Sequence, residues 1–75
     1  MTLEDILINS FDASAADVND QTRLMSLPGW DSMAHMFFIT KLEESYEIVL
    51  TGDEIAAMET VGAVKNIIIS KGKHV

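Results

Sequence analysis

The chain has 75 residues, with 12 acidic and five basic side chains for a net charge of −7, and 48% of it is hydrophobic. That length supports one small core with no deep enzyme cleft, so a single domain over residues 1–75 with no catalytic activity of its own is expected. The negative charge repels nucleic acid and anionic membrane surfaces, and the lack of cysteine excludes a disulfide, a thiolate nucleophile and a Cys-type zinc site.

The acids crowd into the first 59 residues, whereas residues 60–75 carry Lys65, Lys71 and Lys73 and no acid. The acidic middle is where a basic partner would dock. The longest apolar run, Met36 to Ile39, is far too short to span a bilayer, and Glu4 and Asp5 interrupt any reading of the start as a signal peptide. A soluble, cytoplasmic, monomeric protein is expected.

Thr2-Leu3-Glu4-Asp5 has the form of a capping box, and Leu3, Ile6, Leu7 and Phe11 recur at spacings of three and four, which predicts a helix over about 3–11. Residues 12–28 lose this periodicity and are rich in Asp, Asn, Ser and Thr, so they read as a long loop pinned by Leu24 and Leu27. Loops of that length in a small domain tend to serve function. Pro28-Gly29 then breaks the chain, Asp31 or Ser32 can cap, and residues 33–47 form the strongest predicted helix. At about 100° per residue, Met36, Phe38, Ile39, Leu42 and Tyr46 share one side with His35, while Met33, Phe37, Lys41 and Glu44 face the other way. Phe37 is thus expected as an exposed aromatic. A short helix over about 53–58 follows Thr51-Gly52, and Thr60 opens a last helix whose stripe is Val61, Val64, Ile67 and Ile68, closed by Gly72. No strand alternation or repeat is present. The expected fold is all-α, a four-helix bundle of three longer helices and one short one.

Several chemical motifs fail on inspection. Asp17, Asn19 and Gln21 have the spacing of an EF-hand loop, but its sixth position is Thr22 instead of Gly and its twelfth is Pro28 instead of Glu. His35 and His74 are 39 residues apart, with no carboxylate spacing that would complete a metal site. Asp31, Ser32 and His35 lack a nucleophile elbow, and an aspartate beside the serine cannot hold the far side of the imidazole. Glu43, Glu44 and Glu47 read as the solvated side of a helix. What remains is Ser32, at the start of the strongest helix, where free N–H groups and the positive dipole end favour a phosphate. The plain alternative is that Ser32 or Asp31 merely caps the helix.

The stretch Leu27-Pro28-Gly29-Trp30-Asp31-Ser32-Met33 resembles the 4′-phosphopantetheine attachment motif of acyl carrier proteins, whose core is Asp-Ser-Leu, with Met33 in place of the leucine. Leu42-Glu43-Glu44 with Tyr46, then Asp53-Glu54, then Thr60-Val61-Gly62 follow the family pattern in order, so the resemblance covers about residues 3–71. It implies Ser32 as the attachment point, flanked by Asp31 and Met33, and a separate phosphopantetheinyl transferase that brings the thiol this chain lacks. Asp31 would present the hydroxyl and help hold the transferase's metal. The carrier itself would catalyse nothing. Acyl cargo would ride the arm as a thioester, sheltered by residues such as Met36, Ile39, Leu42, Ile55 and Met58. Acyl-loading and acyl-processing enzymes with basic patches would meet Met33, Phe37, Glu43, Glu44 and Glu47. Phe37 stands where carriers of fatty-acid synthesis have an acid, Gly52 also replaces an acid, and Trp30 precedes the Asp-Ser pair, as in specialised carriers. The resemblance therefore favours a dedicated carrier of a secondary pathway. A peptidyl or aminoacyl carrier, and an unmodified helical interaction module, remain as alternatives.

Overall fold

The computed structural model describes residues 2–74; Met1 and Val75, the two ends of the expected domain, lie outside the described residues. Helix α1 spans Leu3–Phe11. Its capping box forms as the sequence implies: the Asp5 N–H donates to Thr2 Oγ1 at 3.1 Å and the Thr2 N–H to Asp5 Oδ2 at 3.4 Å. Glu4 and Asp5 also place negative charge at the positive end of the helix dipole. Leu3, Ile6, Leu7 and Phe11 are all buried, so the three-four spacing does become the core face.

The long loop has structure of its own. Two single 3-10 turns, Ala15–Asp17 and Leu24–Ser26, flank a tight turn in which Thr22 Oγ1 donates to the Asp17 carbonyl at 2.7 Å and accepts from the Asn19 N–H at 3.1 Å. The Asn19 side chain accepts from the Gln21 N–H at 3.0 Å, so this stretch is held by its own short polar side chains. Backbone bonds from Leu24 to Glu59 and from Val61 to Thr22, both at 3.0 Å, then tie the loop to the chain entering the last helix. An ion pair of 2.6 Å between Lys65 and Asp20 adds to this junction.

Helix α2 spans Ser32–Tyr46 and packs against α1. It starts one residue earlier than the sequence suggests and ends one residue sooner, because Glu47 takes a left-handed φ of 54°. Phe38, Ile39 and Leu42 are buried, but Met36, expected beside them, is 56% exposed. The buried arc of Phe38, Leu42 and Ile39 centres near Leu42, and Met36 lies about 120° round the helix from Leu42, outside the reach of α1.

Helices α3, Gly52–Ala57, and α4, Val61–Ser70, complete the fold. A second capping box joins Thr51 and Glu54, so α3 begins one residue before the expected start, and Thr60 caps α4 through the Ala63 N–H at 3.1 Å. Buried Met58 and a 2.9 Å ion pair between Lys71 and Glu54 hold α3 to the rest. Val61, Val64 and Ile68 of α4 enter the core; Ile67 is half-buried. Among the described residues there is no strand beyond an isolated bridge between Arg23 and Thr60, and the all-α expectation holds. Among the described residues no helix is long and apolar enough to cross a membrane.

Candidate functional site around Ser32

The approach to Ser32 is built by Gly29. Its N–H donates to the carbonyl of Phe11, the last residue of α1, at 2.8 Å, and a Cβ at this position would stand 2.5 Å from that oxygen. Only glycine lets the two backbones meet so closely. The chain is thereby pressed against the end of α1 before Trp30, Asp31 and Ser32.

Asp31 is extended, and its Oδ1 accepts the Ala34 N–H at 2.7 Å. It is the N-cap of α2, which settles the choice between two candidate caps. A carboxylate also complements the dipole there better than a neutral hydroxyl. Ser32 is consequently the first helical residue; its side chain is exposed, and no hydrogen bond among the described residues engages its hydroxyl. In the first turn the Ser32 and Met33 N–H groups have no intrahelical partner, as at any helix start, whereas the His35 N–H already donates to the Asp31 carbonyl at 2.9 Å. Asp31 already satisfies part of that positive end, so the helix terminus alone is a weaker phosphate site than the bare sequence suggests.

Half-buried His35, one turn into α2, accepts the Trp30 indole N–H at its Nδ1 at 3.4 Å. Its ring lies among Trp30, Phe38 and Phe11, with centroids at 6.2, 6.3 and 6.5 Å. Burial holds its pKa below the usual 6.5, favouring the neutral ring that can accept this bond. The imidazole is therefore a packing element joined to Trp30, and a Ser-His catalytic couple is not formed. Beside it lies an open cleft of about 280 Å³, lined by Met25, Trp30, His35, Ile55 and Met58, with Arg23 and Glu59 also at its walls. This differs from the expected interior shelter: Ile39 and Leu42 are sealed in the core, Met36 is outside, and of that group only Ile55 and Met58 line the cleft.

The expected partner residues separate into two kinds. Met33 is 83% exposed and Phe37 is 48% exposed, with Lys41 Nζ 5.4 Å above the Phe37 ring. Glu44 is exposed and paired to Lys41 at 3.5 Å, and Glu47 is exposed at the end of α2. Glu43, expected on the solvated side, is half-buried instead. Its Oε2 accepts the Leu50 N–H at 3.0 Å and its carbonyl accepts the Ile48 N–H at 3.2 Å. It closes the turn after α2 and lets Ile48 and Leu50 enter the core.

Sequence reasoning missed the Trp30–His35 pair and the contact of Gly29 with Phe11. A separation of five across a cap matches no helical spacing, so the pair left no signal in the sequence; the Pro-Gly dipeptide was the sole trace of the close approach. Among the described residues no cluster of three His, Asp or Glu side chains is placed to hold a metal ion. The chain matches no protein-family model and no curated protein.

Proposed function

We propose that this chain is an acyl carrier protein, modified on Ser32 with 4′-phosphopantetheine. The observation that carries the reading is the division of labour at the start of α2: Asp31 caps, and the adjacent serine hydroxyl stands exposed and uncommitted. A serine held only for capping would be bonded to the helix. In the proposed step the Ser32 oxygen attacks the phosphorus of coenzyme A that bears the pantetheine arm. The pyrophosphate bond breaks, 3′,5′-adenosine bisphosphate leaves, and the hydroxyl proton passes to a base of the transferase. Asp31, exposed beside the hydroxyl, would share in holding the transferase's metal, and Met33 flanks the same approach.

The thiol at the end of the arm then carries cargo as a thioester, in the cytoplasm and as a monomer, between enzymes whose basic patches are attracted by the net charge of −7. The cleft beside Trp30 and His35 would receive that cargo. Its modest size and the presence of both Arg23 and Glu59 favour a short, polar-ended acyl or aminoacyl group of a dedicated pathway over a long alkyl chain.

Incubation with coenzyme A and a broad-specificity phosphopantetheinyl transferase tests the reading by intact mass. The natural chain should gain one phosphopantetheine and Ser32→Ala none, with Ser32→Ala within about 1 kcal/mol of the natural stability because Asp31 still caps. An unchanged mass of the natural chain would overturn the proposal and leave the helical interaction module. Mass analysis of cargo on the isolated protein separates acyl from aminoacyl carriage.

A further inference from the structure

The electrostatic surface expected on α2 is smaller than the sequence suggests. Glu43 is bonded to Leu50, Glu44 is paired with Lys41, and the first three turns of α2 carry no acid after Asp31. What those turns present instead is apolar: Met33, Met36 and Phe37 are 83%, 56% and 48% exposed. Single exposed apolar residues are ordinary, but three at spacings of three and four, starting beside Ser32, form a strip.

The strip runs into a concavity. Phe37 and Lys41 of α2 and Ile6, Asn9 and Ser10 of α1 line a groove of about 240 Å³ between the two helices. An apolar cavity of about 150 Å³ is enough for a benzene ring, so this groove has room for one large apolar side chain. The Ser10 hydroxyl at its wall is shut off from water and has no hydrogen-bond partner among the described residues. It therefore adds no polar surface to the groove, whose open lining suits an apolar occupant.

We infer that the α1–α2 groove, with Phe37 at its edge, is the seat of the enzyme that modifies Ser32, which would place one large apolar side chain in the groove and Lys or Arg side chains around it. The charge of the surroundings selects this occupant. Asp5 lies on α1, Asp31 caps α2 and Glu44 lies on α2, while Lys41, the single Lys or Arg of the two helices, is already held by Glu44 and the Phe37 ring. A partner that is apolar at its centre and cationic at its rim complements that pattern. A second copy of this acidic chain does not.

The inference rests on the carrier reading, and its test keeps the two apart. Initial rates of phosphopantetheine transfer from coenzyme A are followed by mass for the natural chain, Phe37→Ala, Asn9→Arg and the double change Glu44→Gln with Glu47→Gln. Asn9 is exposed, so Asn9→Arg blocks the groove from outside even if Phe37→Ala is poorly folded. Phe37→Ala and Asn9→Arg should each raise the KM for the carrier by about 30-fold, the effect of removing one binding anchor, with kcat nearly unchanged. The double change should raise it by less than about threefold. Overturning results are a KM unchanged in Asn9→Arg, a larger effect of the acid pair, or a dimer of the natural chain that Phe37→Ala dissolves. If the natural chain is not modified at all, the carrier reading fails and this inference with it.

Discussion

The indole N–H of Trp30 donates to Nδ1 of His35 at 3.4 Å, bridging the cap of α2 from the residue before Asp31 to the first full turn of the helix. The bond needs a neutral imidazole, because a protonated ring has no acceptor. It thereby joins the protonation state of one side chain to the geometry of the segment that presents Ser32.

Burial lowers the His35 pKa from 6.5, so the unfolded chain takes up a proton at a higher pH than the folded one. Stability from this residue is fully present above the unfolded value and falls as pH drops below it, levelling once the folded ring is protonated. The melting temperature should therefore decline between about pH 7.5 and about pH 5.5, a window above ordinary carboxylate titration. His35→Phe should flatten that decline whatever its effect on the melting temperature itself. A natural chain with the same melting temperature across the window would contradict the assignment.

Gly29→Ala tests how the site is anchored. The new Cβ would lie 2.5 and 2.7 Å from the carbonyl oxygen and carbon of Phe11, and backbone at the end of a packed helix cannot swing aside as a side chain can. A loss of about 2–3 kcal/mol is expected in denaturant titration. Phosphopantetheine transfer should also slow, since relief of the clash shifts Trp30 through Ser32. Gly52→Ala is the control: a Cβ there meets nothing within 4 Å, and stability should rise slightly or stay unchanged.

Glu43 and Glu44 are adjacent in sequence but differ in what they hold. Glu43→Ala removes the acceptor of the Leu50 N–H and should cost about 1–2 kcal/mol, with Glu43→Gln recovering most of it. Glu44→Ala breaks only an exposed pair with Lys41 and should cost less than about 0.5 kcal/mol. Urea midpoints of the three variants decide the matter, and equal losses for Glu43→Ala and Glu44→Ala would show that the turn does not depend on Glu43.

The elements of this fold were legible in the sequence because their causes are local. Thr2 and Thr60 cap through backbone groups three residues away, and Leu3, Ile6, Leu7 and Phe11 declare a buried face by spacing alone. The Asp-Ser pair at the start of α2 was legible for the same reason. Tertiary structure decided what depends on a second element. Met36 is exposed because no neighbour reaches round α2 to it, and Glu43 turns inward because Leu50, seven residues on, needs an acceptor. The groove at Phe37 exists because α1 approaches one side of α2 and leaves space beside Ser10. Periodicity orders residues around one helix axis, but which arc is covered, and which polar group is left to find a partner, depends on the packing of helices distant in sequence.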